Sequence, residues 1–178
     1  ARVEQFYQTH MQGRHWVAVH IRGSDKIYES SGLHQTNEKY AGFIDRIIEI
    51  NPGIGIFLLT DSVDVHTDFN TRYAERVVTT PALRSNSSTG VHMQGHSGRT
   101  LGDEVLIDAL LAARCDYFVG NQESNVSLAI ASLKRWPKGL LFMLGDKSGR
   151  SENLYLHKSP PVEVQKCRLC RSPVQQMF

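Results

Sequence analysis

The sequence predicts an α/β fold, a doubly wound Rossmann-like parallel sheet. Short apolar runs rich in β-branched residues alternate with stretches of helical spacing, which is the pattern of βαβ units with right-handed crossovers. The runs are apolar throughout, as strands are when helices cover both faces of a sheet. The chain has 178 residues, 40% hydrophobic and 21% charged, which suits one ordinary globular domain able to fold without disulfide or metal staples.

Residues 1–15 are expected to form a leading helix, residues 16–145 the Rossmann-like domain and residues 146–178 an irregular tail. Trp16-Val-Ala-Val-His-Ile21 reads as the first buried strand. Residues 38–50 follow as a helix, with Tyr40, Phe43, Ile44, Ile47 and Ile48 on one face, and Asn51-Pro52-Gly53 ends it. The second strand covers 54–60 and closes on Asp61-Ser62; a short helix over 63–73 and a third strand over 76–79 come next. Residues 81–99 read as a long polar loop of the kind that usually serves function. A strong helical pattern over 101–113 carries Leu101, Val105, Leu106, Ala109 and Leu110. The fourth strand spans 117–120, a helix 124–136 stops at Pro137, and the fifth strand spans 140–144. From Gly145 the pattern decays, and Ser159-Pro-Pro161 reads as extended.

Composition excludes several classes. Twenty Lys and Arg stand against eighteen Asp and Glu, too even a balance for binding bulk nucleic acid or an anionic membrane. No apolar run approaches the roughly 20 residues that span a bilayer. Three cysteines make no disulfide framework. Cys115 reads as a small buried residue, and Cys167 with Cys170 is half of a zinc site without its other half. Neither GxGxxG nor GxxxxGK[ST] follows a strand, so the dinucleotide and P-loop fingerprints are both missing.

In doubly wound sheets ligands bind beyond the carboxyl ends of the strands. After the first strand stands His20-Ile-Arg22-Gly-Ser-Asp25-Lys26. Strand alternation puts His20 and Arg22 on one face, Arg22 offers a fork suited to a diphosphate, and Lys26 adds a point charge. The competing reading is a solvated loop whose charges pair with one another. Asp61 after the second strand suits a ribose or base donor, though either it or Ser62 serves equally as a helix N-cap. Gly120 permits a close backbone approach, and Ser124 starts a helix, where amides favour a phosphate or are simply capped.

Four segments together carry a family resemblance: His20-Ile-Arg22-Gly-Ser-Asp25-Lys26, Gly90-Val-His92, Asp103-Glu-Val-Leu-Ile-Asp108-Ala-Leu-Leu, and Cys115-Asp-Tyr-Phe-Val-Gly120 through Ser124-Asn-Val-Ser127. In order and spacing they resemble the α1,6-fucosyltransferase superfamily, both the rhizobial nodulation enzymes and the animal core enzymes. The resemblance runs from about residue 16 to residue 144. It implies the carboxyl-terminal, donor-binding lobe of a two-domain, GT-B-like glycosyltransferase whose acceptor-binding amino-terminal lobe lies outside this chain. It implies GDP-fucose as donor, transfer with inversion to a glycan or oligosaccharide hydroxyl, and no metal or other cofactor.

By the same resemblance His20 and Arg22 contact the diphosphate and nucleotide, and Asp25 and Lys26 help place sugar and acceptor. Tyr40 and Asp61 match donor-site residues, and His92 falls in the loop over the nucleotide. Asp108 matches the aspartate that recognises guanine, and Ser124, followed by Asn125 and Val126, matches the β-phosphate site. Arg22, Lys26 and the amides at Ser124 would stabilise the GDP leaving group in place of Mg²⁺. Glu29, one position early, is nearest to the family's base.

One departure stands out. Where the family has a second adjacent arginine this chain has Gly23, with Arg84 and Arg99 as the obvious replacements. That substitution keeps open a catalytically silent nucleotide-sugar-binding domain, and a GT-B transferase using another nucleotide sugar is the third alternative. Asn86-Ser-Ser88 and Asn125-Val-Ser127 fit the glycosylation triplet. A glycan at the second would block the donor site, which favours a cytoplasmic setting over the Golgi lumen.

Overall fold

The computed structural model describes residues 2–23, 39–86, 90–91, 95 and 97–145. The elements, in order, are α1 (Arg2–His10), β1 (Trp16–Ile21), α2 (Tyr40–Ile50), β2 (Gly55–Thr60), α3 (Val63–Tyr73) with a 3₁₀ turn over Ala74–Arg76, β3 (Val77–Val78), α4 (Gly98–Ala112), β4 (Tyr117–Asn121), α5 (Asn125–Ser132) and β5 (Leu141–Leu144). Among the described residues the sheet has five strands in the order β3-β2-β1-β4-β5. Every pairing is parallel. This is the doubly wound arrangement expected from the alternation of strand and helix.

The three central strands are buried along their whole length. Their side chains divide between two cores. Val17, Val19, Ile21, Ile56, Leu58 and Val119 meet α2 and α3, through Tyr40, Phe43, Ile44, Ile47, Phe69 and Tyr73. Trp16, Ala18, Phe57, Leu59 and Phe118 meet the opposite layer of α1, α4 and α5. Successive strand residues point to opposite faces, so one apolar run feeds both layers. Gly55 is needed here for space: a Cβ would stand 2.4 Å from the ring of Trp16, whose register partner it is.

The leading helix expected over residues 1–15 covers Arg2–His10, and two further elements depart from the expected pattern. The helix expected over 124–136 ends at Ser132. Pro137 disfavours helical geometry in the residue before it, and Trp136 instead stacks on Phe118 at 5.7 Å while the Lys134 ammonium bonds the Cys115 carbonyl at 2.5 Å. In α4 the buried residues are Ala109, Leu111 and Ala112, whereas Val105, Leu106 and Leu110, expected on its apolar face, are exposed. Ala109 belongs to the expected face; Leu111 and Ala112 do not, and the three together join the core cluster of this layer.

The segment after β3 is also less irregular than a plain loop. Ser85 is buried and donates its N–H to Asp61 O at 2.7 Å, while its carbonyl accepts from Val63 N–H at 2.9 Å. One such bridge leaves no periodic trace in a sequence. Cys115 is buried, as expected of an inert structural thiol, and burial pushes its pKa upward. Cys167 and Cys170 lie outside the described residues. No helix among the described residues is long and apolar enough to cross a membrane.

Candidate functional site

The strand order reverses direction between β1 and β4, and a cleft opens beyond the carboxyl ends of β1 and β2. His20, Arg22, Thr60, Asp61, Asp108 and Val126 line it, with Ala82, Leu83, Leu101 and Val105 as apolar walls. Its volume is about 160 Å³, and it is partly open to solvent. A cavity of about 150 Å³ takes one benzene ring, so the cleft has room for a flat ring system.

At the end of β1, His20 sits in the buried layer beneath α5. Its Nδ1 lies 2.7 Å from the Ser127 hydroxyl. Burial lowers its pKa to about 4; Asp61 opposes that shift and Arg22 adds to it. The ring is therefore neutral at physiological pH. Tyr40, matched above to a donor-site residue, is not in the cleft. It is 1% exposed, and its hydroxyl donates to the His20 carbonyl at 2.8 Å from the opposite core. Tyr40 fixes the backbone that carries the histidine.

Asp61 gathers the turn that follows β1. Its Oδ1 accepts the Gly23 N–H at 2.9 Å, and its Oδ2 stands 3.1 Å from Arg22 Nε. The arginine contact is a charge pair, not an aligned hydrogen bond. Helix capping falls to Ser62, whose hydroxyl accepts from Val65 N–H at 3.3 Å. Gly23 packs against that cap. A Cβ there would stand 2.7 Å from Ser62 Cβ and 2.9 Å from Val65 Cγ2, so no larger residue fits this backbone.

Asp108 reaches the cleft from α4. Its Oδ1 accepts the Thr80 hydroxyl at 2.6 Å. Burial pushes the carboxyl up to about 6, against the pull of Thr80 and Arg84, with Glu104 reinforcing burial. The folded pKa thus lies above the unfolded one, so the carboxyl's contribution is fully present below pH 4 and is lost as pH rises through about 6. Asp108→Asn is expected to gain about 2–3 kcal/mol relative to the parent between pH 4 and pH 7, read from denaturant unfolding at both values. An equal difference at the two pH values would remove the argument.

The wall beside Asp108 is braced. Arg84 donates to Thr80 O at 3.1 Å and to Ala82 O at 3.0 Å, and Glu104 accepts from Leu83 N–H at 3.1 Å. Arg84 was a candidate to replace the missing second arginine. Both its Nη groups bond loop carbonyls, which makes it a brace for the wall. Arg99, the other candidate, lies exposed in the first turn of α4.

The start of α5 closes the cleft. The Ser124 hydroxyl caps the helix by accepting from Ser127 N–H at 3.5 Å. The capping reading is realised, and by helix geometry the amides of Asn125 and Val126 precede the first intrahelical hydrogen bonds. Asn125 is exposed, and Val126 lines the cleft. Gly120 makes room for side chains of the same chain: a Cβ would stand 2.7 Å from Phe118 Cζ and 2.9 Å from Ser127 Oγ. Asp25, Lys26, Glu29 and His92 lie outside the described residues. Among the described residues no three His, Cys, Asp or Glu side chains gather as a metal-ligand set.

Sequence reasoning missed Thr80 and the roles of Ser127 and Glu104. Thr80 and Ser127 are single hydroxyls whose importance depends on partners 28 and 107 residues away. Only the glycine at 120, a small residue in a buried strand, hinted that something packs close there.

No protein-family model and no curated protein matches the chain. It is similar to solved structures of NodZ α-1,6-fucosyltransferase. One, co-crystallized with GDP, has 22% identity and a TM-score of 0.48 over 72% of this chain and 39% of that one. A second, soaked with GDP-fucose, has 23% identity and a TM-score of 0.49 over the same shares. A selenomethionine form from Bradyrhizobium has 21% identity and a TM-score of 0.47 over 80% of this chain and 41% of that one. The chain thus spans about two fifths of the length of these proteins.

Proposed function

We propose that the chain is the donor-binding lobe of a fucosyltransferase-like glycosyltransferase of GT-B type. It binds GDP-fucose in the cleft and, together with an acceptor lobe, transfers fucose with inversion to a glycan hydroxyl without a metal. One observation carries this reading. His20 and Arg22, Asp108, and Val126, drawn from three separate segments of the motif set, converge with Asp61 on a single cleft at the carboxyl ends of the strands. The cleft, with room for a ring system and the Asp108 carboxylate on its wall, suits a guanine edge that donates two N–H groups. Arg22 and the first amides of α5 supply cationic and dipolar support for a diphosphate, where Mg²⁺ acts in other transferases.

Binding of GDP, UDP and ADP by calorimetry tests it. GDP should bind best. Arg22→Ala should weaken it about 10- to 100-fold, the worth of one charged hydrogen-bonding group. Asp108→Ala should erase the preference for GDP over ADP. Equal affinity for all three nucleotides, or no GDP binding at millimolar concentration, sinks the proposal.

A second reading follows from Gly23, where a cationic side chain has no room. With one arginine fewer at the leaving group, the lobe would hold the nucleotide sugar without transferring it. GDP binding with neither hydrolysis nor transfer, in the chain joined to its acceptor lobe, selects this reading.

A further inference from the structure

We propose that Ser127 is a positioning residue that fixes His20 as its Nε2–H tautomer, so that the histidine presents a neutral N–H donor to the cleft. The geometry of one buried hydroxyl carries the assignment. Ser127 is 0% exposed. Its Oγ accepts the Asn121 N–H at 3.0 Å and lies 2.7 Å from His20 Nδ1. Among the described residues these are its two partners. The Asn121 amide is necessarily a donor, so it occupies a lone pair of the oxygen and leaves the hydroxyl proton to be placed. Nδ1 is the acceptor for it. Were Nδ1 protonated instead, two N–H groups would point at one oxygen and the hydroxyl proton would be buried without an acceptor, which is costly. Nδ1 therefore carries the lone pair, and the ring proton sits on Nε2.

The surroundings are built around this contact. Gly120 on β4 leaves the space that Ser127 Oγ occupies. Tyr40 clamps the His20 carbonyl from the opposite core, so backbone and ring are held from both sides of the sheet. Among the described residues the charged groups acting on the imidazole are Asp61 and Arg22; burial, reinforced by Arg22, outweighs the opposing pull of Asp61 and keeps the ring neutral. A neutral donor serves an anionic ligand at constant strength across pH 5–8, which a titrating imidazolium does not.

The assignment deepens the donor-site reading and rests on it for the identity of the ligand; the tautomer itself is read without nucleotide. Nitrogen-15 NMR of the imidazoles in the full chain gives it directly, with His20 assigned by the signal lost in His20→Gln. The expected wild-type pattern is an unprotonated Nδ1 and a protonated Nε2. Ser127→Ala should move both shifts toward averaged values and weaken GDP binding by about tenfold or less, the worth of one neutral hydrogen bond. Ser127→Thr should restore the wild-type pattern. A protonated Nδ1 in the wild type overturns the assignment, whatever the variants do. So does a Ser127→Ala spectrum identical to the wild type. If the tautomer is as expected but GDP does not bind, the functional reading fails and the Ser127 assignment stands.

Discussion

Asp61→Ala is expected to weaken GDP binding about 100-fold and to lower stability by about 2–3 kcal/mol, because one carboxylate contacts both Arg22 and Gly23 as the chain leaves β1. Its two oxygens hold the Gly23 amide and the Arg22 guanidinium. Removing it frees the turn and leaves Arg22 without this counter-charge. The pair is partly exposed, with side chains 26% and 16% accessible, so the cost falls below that of breaking a fully buried pair. Asp61→Asn separates the two contributions, since the amide oxygen still accepts from Gly23 while the charge is gone. Calorimetry and denaturant unfolding measure both effects. Unchanged GDP affinity in Asp61→Ala would show that Arg22 does not depend on this carboxylate for its placement.

Gly23→Arg, which restores the residue the family resemblance leads one to expect, should weaken GDP binding and cost about 1–3 kcal/mol of stability. The reason is steric. The first carbon of any side chain at 23 meets Ser62 Cβ at 2.7 Å and Val65 Cγ2 at 2.9 Å, and both belong to the start of α3. The atoms in the way are the base of a capping serine and a half-buried valine, not the far end of a flexible chain. The turn must therefore move, and Arg22 moves with it. Gly23→Ala should show a smaller loss in the same direction. Tighter GDP binding by Gly23→Arg at unchanged stability would mean that the turn is soft and the fit of Gly23 incidental.

Much of the architecture was legible because it repeats. β1 and α3 have the bounds their residue patterns predict, and β2, β4 and β5 begin or end within a residue of expectation. Period and β-branching encode such elements locally. The face of α4 was legible only at Ala109; the other two buried residues, Leu111 and Ala112, fall outside the expected set. Beyond the end of α5, Trp136 stacks on Phe118, a tertiary contact that helical spacing in the sequence does not reveal.

The site divides in the same way. His20, Arg22, Asp61 and Asp108 were singled out by position after strands or by motif, and they meet at the cleft. Tyr40 was singled out too, yet its hydroxyl bonds the His20 backbone from behind the sheet. A motif marks that a residue matters without saying which side of a strand it works from. Thr80 gave no signal, and Ser127, though inside a motif segment, gave none of its contact with His20, because a hydroxyl takes its meaning from a partner that only folding supplies.

The two outermost strands are short: β3 has two residues and β5 four, against six in each of β1 and β2. An edge strand exposes a row of unpaired amides and carbonyls, a template on which another chain can add a strand. Two residues offer almost no such template, and beyond β3 the backbone of Ser85 is already bonded to Asp61 and Val63. On the β3 side, then, the turn toward the cleft also guards against self-assembly by strand addition.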